Sequence, residues 1–393
     1  MTAWVGGGAL STAAGGLRGV AAIAALTLVP AFEPSIFGAA PGTAPIRVET
    51  SAPHMGTLVR IVLYADSRPA GDAAAAAAFA RIDDLDARLS DYRDDSEVAA
   101  LSRAAVGVAV PVSDDLFAVL ASSEALARRT DGAFDVTAGR LTHLWRRARR
   151  VNAWPDAAVV AEARAAGGFA KVRLDPRRRT ATLTAPGLEF DPGGIAKGYA
   201  ADEALRVLRA RGTGAALVAI GGDIVAGDPP PGQLAWTVAI PRLGAASADA
   251  AGAAEPHWIA LVRAAVSTSG DAEQWMTVDG VRRSHVIDLR SGWPVTGRTA
   301  TSVVAARGID ADAVSTALGI LDAEAGARLL DTVRGPRDSG AHHHGAPPLA
   351  ARPPGAQALW QRVDATGATV AQHSIHWPAI ARPISAITLR GTP

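Results

Sequence analysis

The spacing of apolar and polar positions divides the chain into helix-like and strand-like stretches. Apolar residues recur at helical intervals over residues 72–89 and 114–129. Residues 46–66 have the pattern of strands, and residues 236–240 alternate in the way that predicts another strand. The same reasoning predicts helices over residues 157–166, 200–211 and 310–318 and strands over residues 172–174, 182–184, 215–220 and 258–262.

Turn signals in the second half of the chain predict two hairpins. Asp279-Gly280 interrupts one alternating stretch, and Asp364-Ala365-Thr366-Gly367 separates two strand-like runs at residues 357–363 and 369–374. Residues 335–356 are rich in Gly, Pro and His, which is typical of a flexible insertion. We therefore expect a folded domain over residues 46–334, followed by this insertion and by a hairpin at residues 357–376. The tail, residues 377–393, has no assigned role.

Residues 188–199 carry the strongest local signal for chemistry. A short apolar run ends at Phe190 and is followed by Asp191, two glycines, Lys197 and a helix-like segment. A strand, a glycine-rich turn and a helix N-terminus together form a cradle for phosphate, because free N–H groups, the helix dipole and a cation all favour an anion. An acid at that place suggests a metal or a polar group of a nucleotide. The structural alternative is a plain βα turn with a surface lysine.

Four further segments place chemically active residue types in turns or on one helix face. Each also has an ordinary structural explanation, such as a helix cap, a close backbone approach or a structural histidine. The segments are Thr130–Thr137, Ile220–Asp223, Ser267–Asp271 together with Arg282–Asp288, and Asp310–Leu318.

The last of these segments predicts a metal site. Asp312 and Thr316 are four residues apart, so a helix places both side chains on one face. A carboxylate and a hydroxyl in this arrangement suit a hard cation such as Mg²⁺, which completes its shell with water and substrate phosphate. An N-terminal capping acid beside an ordinary Thr is the alternative.

Taken in order, the motifs resemble the FAD:protein FMN transferase family, also called the ApbE family. They follow the family's order over residues 50–335, and eight motifs in order are far more specific than any one of them. The motifs are Met55-Gly56-Thr57, Leu89–Tyr92 with Ser96-Glu97-Val98, Gly132–Thr137, Asp191–Tyr199, Ile220–Asp223, Thr268–Asp271, Ser284–Asp288 and Ala311–Thr316.

The resemblance implies a site for FAD and a site for magnesium. The positions that match the family's FAD contacts are Met55, Tyr92, Ala133, Phe134, Asp135, Asp191, Lys197, His285 and Val286. The positions that match its metal ligands are the backbone carbonyl of Gly194, the carboxylate of Asp312 and the hydroxyl of Thr316. The resemblance and the pattern also predict an α+β fold, a single catalytic domain with mixed or antiparallel sheets flanked by helices. The resemblance implies that this domain covers residues 46–334 and ends, after the insertion, in the hairpin at residues 357–376.

The implied reaction is Mg²⁺-dependent transfer of FMN from FAD to a Thr or Ser hydroxyl of an acceptor redox protein, with release of AMP. The acceptor would carry a Thr-containing flavinylation motif. Three residues are predicted to be catalytic: Lys197 would offset developing negative charge, Asp312 would hold the metal, and His285 is the first candidate for the base. Asp271 or Asp312 is the second candidate for the base.

Two alternatives remain open at this stage. The same site could hydrolyse FAD to FMN and AMP, with water in place of the acceptor hydroxyl. A protein that only binds or stores FAD is the other alternative, although storage needs no metal at the pyrophosphate.

Composition restricts the partners. The chain has 393 residues and a formal net charge of +1, which gives no electrostatic case for nucleic acid. We expect the arginines at residues 146–150 and 177–179 to form solvated faces or turns. The chain has no cysteine, so disulfides, thiolate metal sites and cysteine nucleophiles are excluded.

The N-terminal segment, residues 1–44, is set apart from the fold. An apolar run of ten residues from Val20 to Val29 follows Arg18, and small residues lie downstream at Ala39 and Ala40. This length suits a signal sequence better than a membrane span. We therefore expect an exported or inner-membrane-associated protein with proximity to a membrane, the alternative being a cytoplasmic location.

Overall fold

The computed structural model describes residues 44–243, 255–270, 275–278, 280–333, 335, 355–363, 369–374, 377 and 379–380. The predicted signal-like segment at residues 1–44 lies, apart from its last residue, outside these ranges. So do almost all of the insertion at residues 335–356, the second candidate base Asp271, and the turn residues 364–367 of the terminal hairpin.

The helices are α1 Arg68–Leu89, α2 Glu97–Ser102, α3 Asp114–Arg129, α4 Gly139–Val151, α5 Ala157–Ala166, α6 Ala196–Ala210, α7 Gly308–Leu318 and α8 Ala323–Thr332. The first strands are β1 Ile46–His54, β2 Thr57–Ala65, β3 Ala109–Pro111, β4 Val172–Asp175, β5 Thr180–Leu183, β6 Ala216–Ile220, β7 Asp223–Ala226, β8 Trp236–Ile240 and β9 His257–Leu261. The remaining strands are β10 Ala264–Gly270, β11 Trp275–Val278, β12 Val281–Asp288, β13 Trp293–Thr296, β14 Thr299–Ala305, β15 Gln357–Val363, β16 Thr369–His373 and β17 Ala379–Ile380.

Within the described ranges, the strands form one large sheet and three small ones. The large sheet has eight strands in the order β1-β2-β6-β7-β10-β14-β15-β16, and every neighbouring pair is antiparallel. The small sheets are β3-β5-β4, β11-β12-β13 and β17-β9-β8. The predicted α+β fold is confirmed, and its sheets are antiparallel rather than mixed.

Both faces of the large sheet are covered, which explains its apolar strands. On β2, Ile61 and Leu63 pack into the main core with the helices, whereas Val62 packs on the opposite face against β8 and β9. Neighbouring strand residues point to opposite faces, so an unbroken apolar run results when both faces are buried. A smaller cluster around Trp145 joins α4 and α5 to β11, β12 and β13.

Most of the predicted elements are confirmed, and the exceptions have local causes. The helix predicted over residues 114–129 has those bounds, because Ser113 caps it by accepting from the Leu116 N–H. The helix predicted from residue 200 instead begins at Ala196, because the turn after Gly194 passes directly into helix. Lys197 therefore lies in the first helical turn. The arginines at residues 146–150 belong to α4 and not to a turn, and Arg146 is largely buried, so its prediction as part of a solvated face is wrong.

No helix in the described ranges is both long enough and apolar enough to cross a membrane.

Candidate active site

The site is built where α6 and α7 cross. Gly198 and Gly308 lie in backbone contact, and a Cβ on either would overlap the carbonyl of the other. Two carboxylates lock the crossing from opposite sides. Asp202 on α6 accepts from the N–H groups of Gly308 (2.7 Å) and Ile309 (3.0 Å) at the start of α7. Asp312 on α7 accepts from the Gly198 N–H at 2.9 Å. The two helices thus hold each other's N-terminal backbone.

Lys197 projects from the first turn of α6 into a cluster of carboxylates. Its Nζ lies 3.1 Å from Oδ2 of Asp223 and donates to the Gly193 carbonyl at 3.3 Å. Burial by itself lowers the pKa of the ammonium, but the carboxylates of Asp223, Asp312 and Asp191 outweigh it and raise the pKa. Lys197 is therefore permanently charged. It lies beside the turn formed by Gly193 and Gly194, here called the glycine turn, and 30% of its side chain is exposed.

A chain of hydroxyl groups connects the strands to α7. Asp223 accepts from the Ser267 hydroxyl at 2.5 Å, and that hydroxyl lies 3.1 Å from Oγ of Ser315. Ser269 Oγ lies 2.7 Å from Ser315 Oγ and 3.1 Å from Thr316 Oγ1. Strand β10 places Ser267 and Ser269 on the same face, so both meet α7. The network ends at the Thr316 hydroxyl, which lies within hydrogen-bonding distance of Ser269.

The three predicted metal positions are brought together. A Cβ placed on Gly194 would lie 3.1 Å from Thr316 Oγ1, and Asp312 stands one turn before Thr316 on the same helix. Burial, followed by repulsion from Asp223, raises the pKa of the Asp312 carboxyl to about 7, against attraction by Lys197. Two neighbouring carboxylates therefore share a single ammonium, which is an environment that favours an added cation.

The donor set is one of hard oxygens. Among the residues that the structure describes, no group of three or more His, Asp or Glu side chains is placed to hold a metal. A metal here would accordingly depend on the Gly194 carbonyl and the Thr316 hydroxyl as well as on Asp312, with the rest of its shell from water and substrate. This is the way that Mg²⁺ is usually bound.

Asp191 is held beside the glycine turn by an arginine. Its Oδ2 accepts from Nη2 of Arg146 at 2.7 Å, and its Oδ1 accepts from the Gly193 N–H at 2.8 Å. The same guanidinium donates through Nη1 to Asp91 and lies over the Tyr92 ring, with its central carbon 4.4 Å from the ring centroid. Asp191 and Tyr92, which were predicted separately, are therefore joined by Arg146.

Met55 lies in the β1–β2 turn with a φ of 49°, next to Gly56 at 69°. This turn meets the β6–β7 turn, because a Cβ on Gly221 would lie 3.2 Å from Thr57 Oγ1. Gly221 itself has a φ of 58°. The turns of the two hairpins thus lie at the same end of the large sheet as Asp223.

The predicted loop at residues 133–135 is partly internal. Ala133 and Phe134 are buried. The Phe134 ring lies against Gly194, since a Cβ added to Gly194 would be 3.3 Å from a carbon of that ring. The Asp135 carboxylate accepts from the N–H groups of Thr137 (2.9 Å) and Phe169 (2.6 Å) and from the Thr137 hydroxyl (2.8 Å). Burial raises the pKa of Asp135 in spite of these bonds. In this structure its oxygens hold the loop.

A cavity of about 330 Å³ opens beside that loop. Gly132 and Asp135 from that loop line it, together with Leu289 and Arg290. Lys197, Asp312 and Thr316 do not line it.

The β11–β12 hairpin places His285 and Val286 near the end of α7. Val286 is buried, and its Cγ1 would lie 3.9 Å from a Cβ on Gly319, the residue that follows α7. His285 is exposed on the neighbouring position of β12. A side chain with this exposure is accessible to a macromolecular partner.

Several site residues were missed by sequence reasoning. Asp223, Ser267 and Ser269 were part of recognised motifs, but they received no individual role. Their contacts depend on β10 lying between β7 and β14, which no local pattern reveals. Arg146 was assigned to a solvated face because its partners, Asp91 and Asp191, are 55 and 45 residues away.

Comparison with known proteins places these features in context. Residues 55–337 match the family model described as the ApbE family. A relative from Treponema pallidum named FAD:protein FMN transferase is 34% identical over 294 residues, covering 70% of this chain and 79% of the relative. One from Haemophilus influenzae with the same name is 31% identical over 244 residues, covering 61% and 69%. The crystal structure of Pseudomonas stutzeri flavinyl transferase ApbE, apo form, superposes with a TM-score of 0.68 at 27% identity, covering 85% of this chain and 96% of that one.

Proposed function

Because this chain belongs to the ApbE family and is a transferase, we propose that it transfers FMN from FAD to a Thr or Ser hydroxyl of an acceptor redox protein, releasing AMP. The observation that carries this proposal is the convergence of Lys197, the Gly193–Gly194 turn, Asp312 and Thr316 at the crossing of α6 and α7. A fixed cation at the N-terminus of a helix, where the helix dipole also favours an anion, suits a pyrophosphate.

The reaction exchanges one bond to phosphorus for another. The acceptor oxygen forms a bond to the FMN phosphorus, the phosphoanhydride bond breaks, and the bridging oxygen leaves with AMP. Such a transfer depends mainly on positioning and on charge stabilisation. Lys197, held by Asp223 and by the Gly193 carbonyl, is placed to offset the developing negative charge.

Magnesium fits the donor set at this place. The Gly194 carbonyl, the Asp312 carboxylate and the Thr316 hydroxyl would hold it. When bound, Mg²⁺ supplies charge neutralisation to the pyrophosphate oxygens.

The proton of the acceptor hydroxyl must also be removed. His285 is our first candidate, because its imidazole has a near-neutral reference pKa and it is exposed on β12 beside the end of α7. Asp271 or Asp312 is the second candidate; the Asp312 carboxylate lies at the glycine turn and accepts from the Gly198 N–H at 2.9 Å. A His285→Gln variant that keeps full transfer activity would favour one of these two acids.

The proposal is tested by mixing the full chain, FAD, Mg²⁺ and an acceptor redox domain that carries a Thr-containing flavinylation motif. Flavin fluorescence on the acceptor band of a denaturing gel, lost with EDTA and with Asp312→Ala, is the expected result. FMN and AMP in solution without a fluorescent band would instead indicate a hydrolase. Bound FAD with no turnover would indicate a storage protein.

A further inference from the structure

Arg146 occupies a place that the proposed reaction does not yet explain. It projects from α4 with 22% of its side chain exposed and lies between two carboxylates, Asp91 and Asp191. These carboxylates are largely buried, with 6% and 10% of their side chains exposed. Both terminal nitrogens of the guanidinium donate to a carboxylate. The group is thus fixed in position and orientation.

One face of this fixed guanidinium carries an exposed aromatic ring. Its central carbon lies 4.4 Å from the centroid of Tyr92, and Tyr92 is 77% exposed. An exposed tyrosine ring is free to change rotamer unless a neighbouring group restrains it. The cation–π contact with Arg146 restrains the Tyr92 ring. The arrangement presents a planar ring to solvent.

The guanidinium also adjoins the glycine turn. Its Nη2 would lie 3.9 Å from a Cβ on Gly193, while the Gly193 carbonyl accepts from Lys197 on the other side. The turn therefore lies between two cations. Lys197 is the one that faces Asp223 and Asp312, and Arg146 is the one that faces Tyr92.

A histidine on α4 reinforces the network. His143 lies one turn before Arg146, and its two ring nitrogens contact Asp91 (3.1 Å) and Glu189 (2.9 Å). Asp91 is therefore held by two side chains from the same helix. His143 contacts Glu189 and Arg146 contacts Asp191, so both side chains of α4 bind the short segment that leads into the glycine turn.

We propose that Arg146 is a positioning residue for FAD binding. It holds the Tyr92 ring as a platform for a planar ring of the dinucleotide and fixes the Asp191 carboxylate beside the Gly193–Gly194 turn. This inference takes its ligand from the proposed function. Arg146 acts through these two residues, since each of its terminal nitrogens donates to a carboxylate and its central carbon lies over the Tyr92 ring.

The substitution Arg146→Lys tests whether the planar shape of the guanidinium matters in addition to its positive charge. Arg146→Lys keeps a positive charge between Asp91 and Asp191, so no buried carboxylate loses its counter-charge, but it removes the planar group that stacks on Tyr92. We expect the Kd for FAD, measured by flavin fluorescence, to rise about tenfold. Arg147→Lys is the matched control, since Arg147 is exposed on the same helix, and it should leave the Kd unchanged.

A double-mutant cycle shows whether Arg146 acts through Tyr92. If it does, Arg146→Lys should raise the Kd less in a Tyr92→Leu background than in the wild type, and the effect that remains would be the one that passes through Asp191. Titrations with FMN and with AMP alone should show the loss in one of the two ligands, which identifies the half of FAD that stacks. A purely structural role for Arg146 would weaken both ligands alike and would lower the melting temperature.

The role of Arg146 in FAD binding and the proposed FMN transfer are tested by different measurements, so one can be contradicted without the other. An unchanged Kd in Arg146→Lys, or fully additive effects in the cycle, would overturn the inference even if the wild-type chain modifies an acceptor. Conversely, a wild-type chain that binds FAD but modifies no acceptor would contradict the proposed transfer, and the binding cycle would still decide the role of Arg146.

Discussion

At the scale of single residues, Asp223 is the group on which the cation of the site depends. It contacts Lys197 at 3.1 Å and accepts from Ser267 at 2.5 Å, and it is almost completely buried. Without it, the ammonium loses its nearest fixed partner. We expect Asp223→Asn to lower kcat by about a hundredfold, because a misplaced cation no longer meets the charge that develops in the transition state.

The control for this prediction is Asp228→Asn. Asp228 contacts the exposed Arg263 near the other end of the same strand, so its loss should leave kcat within a factor of about two. Steady-state kinetics with a saturating acceptor would measure both variants. Equal kcat values in the two variants would mean that Lys197 needs no fixed partner.

His143 gives a prediction about pH. The hydrogen bond to Asp91 raises its pKa against the effect of burial, with Glu189 adding to the rise. A raised folded-state pKa stabilises the fold below the unfolded value near 6.5, and this contribution disappears as the pH rises through the folded value. Since 39% of the side chain is exposed, we expect no more than ~1 kcal/mol.

Thermal melting of wild type and His143→Gln from pH 5.5 to pH 9 would measure this effect. The difference in Tm should be largest at the acidic end, about 1–2 °C, and should shrink with rising pH. A difference that is constant over the range, or that grows with pH, contradicts the assignment.

The same scale shows what the sequence could and could not predict about the site. Asp312 and Thr316 were predicted because their spacing places them on one helix face, which is a local property. Arg146 was not, because its role depends on carboxylates that only the fold brings to it. Asp223 was present in a recognised motif, but its partner Lys197 is on another element.

At the scale of elements, the crossing of α6 and α7 sets the geometry of the site. The two helices can approach closely only because Gly198 and Gly308 have no Cβ. We expect Gly198→Ala to destabilise the protein by about 2–3 kcal/mol, although alanine is the better helix former, because its methyl group overlaps the Gly308 carbonyl.

Ala210→Gly serves as the control for helix propensity. It changes an exposed position at the end of the same helix and should cost about 1 kcal/mol or less. Denaturant unfolding measures both variants. A Gly198→Ala protein as stable as wild type would mean that the crossing can open without cost.

Periodicity predicted some elements well and others poorly for a physical reason. Helix α3 has an apolar stripe and a capping serine, so the sequence predicted both the helix and its bounds. Helix α4 has the apolar residues Leu141, Trp145 and Ala148 at helical spacing, but its many arginines obscured them. The start of α6 was placed four residues late, because two glycines normally indicate a turn.

At the scale of the whole molecule, one eight-stranded antiparallel sheet collects site residues from distant parts of the chain. The order of its strands places β10 between β7 and β14, and thereby Ser267 and Ser269 against α7. Local patterns predict strands but not their order, so the α+β class was predictable and this arrangement was not. The expected FAD and magnesium sites came largely from the order of the family motifs along the chain.

The whole molecule should respond to FAD as a single folded unit. A ligand that binds only the folded state at a hundred times its Kd adds about 2.7 kcal/mol of stability. For a domain of about 300 residues we expect the Tm to rise by about 4 °C with FAD. Differential scanning calorimetry would measure the rise, and it should be smaller in the Arg146→Lys protein at the same FAD concentration. No shift at any FAD concentration would contradict a preformed dinucleotide site.

The most direct test of the transfer is the intact mass of the acceptor protein after incubation with this chain, FAD and Mg²⁺. The account predicts a gain of one FMN less one water per acceptor, with one AMP released for each acceptor modified, and no gain with Asp312→Ala. An acceptor of unchanged mass, while FMN and AMP accumulate in solution, would contradict protein flavinylation and would indicate that water is the nucleophile.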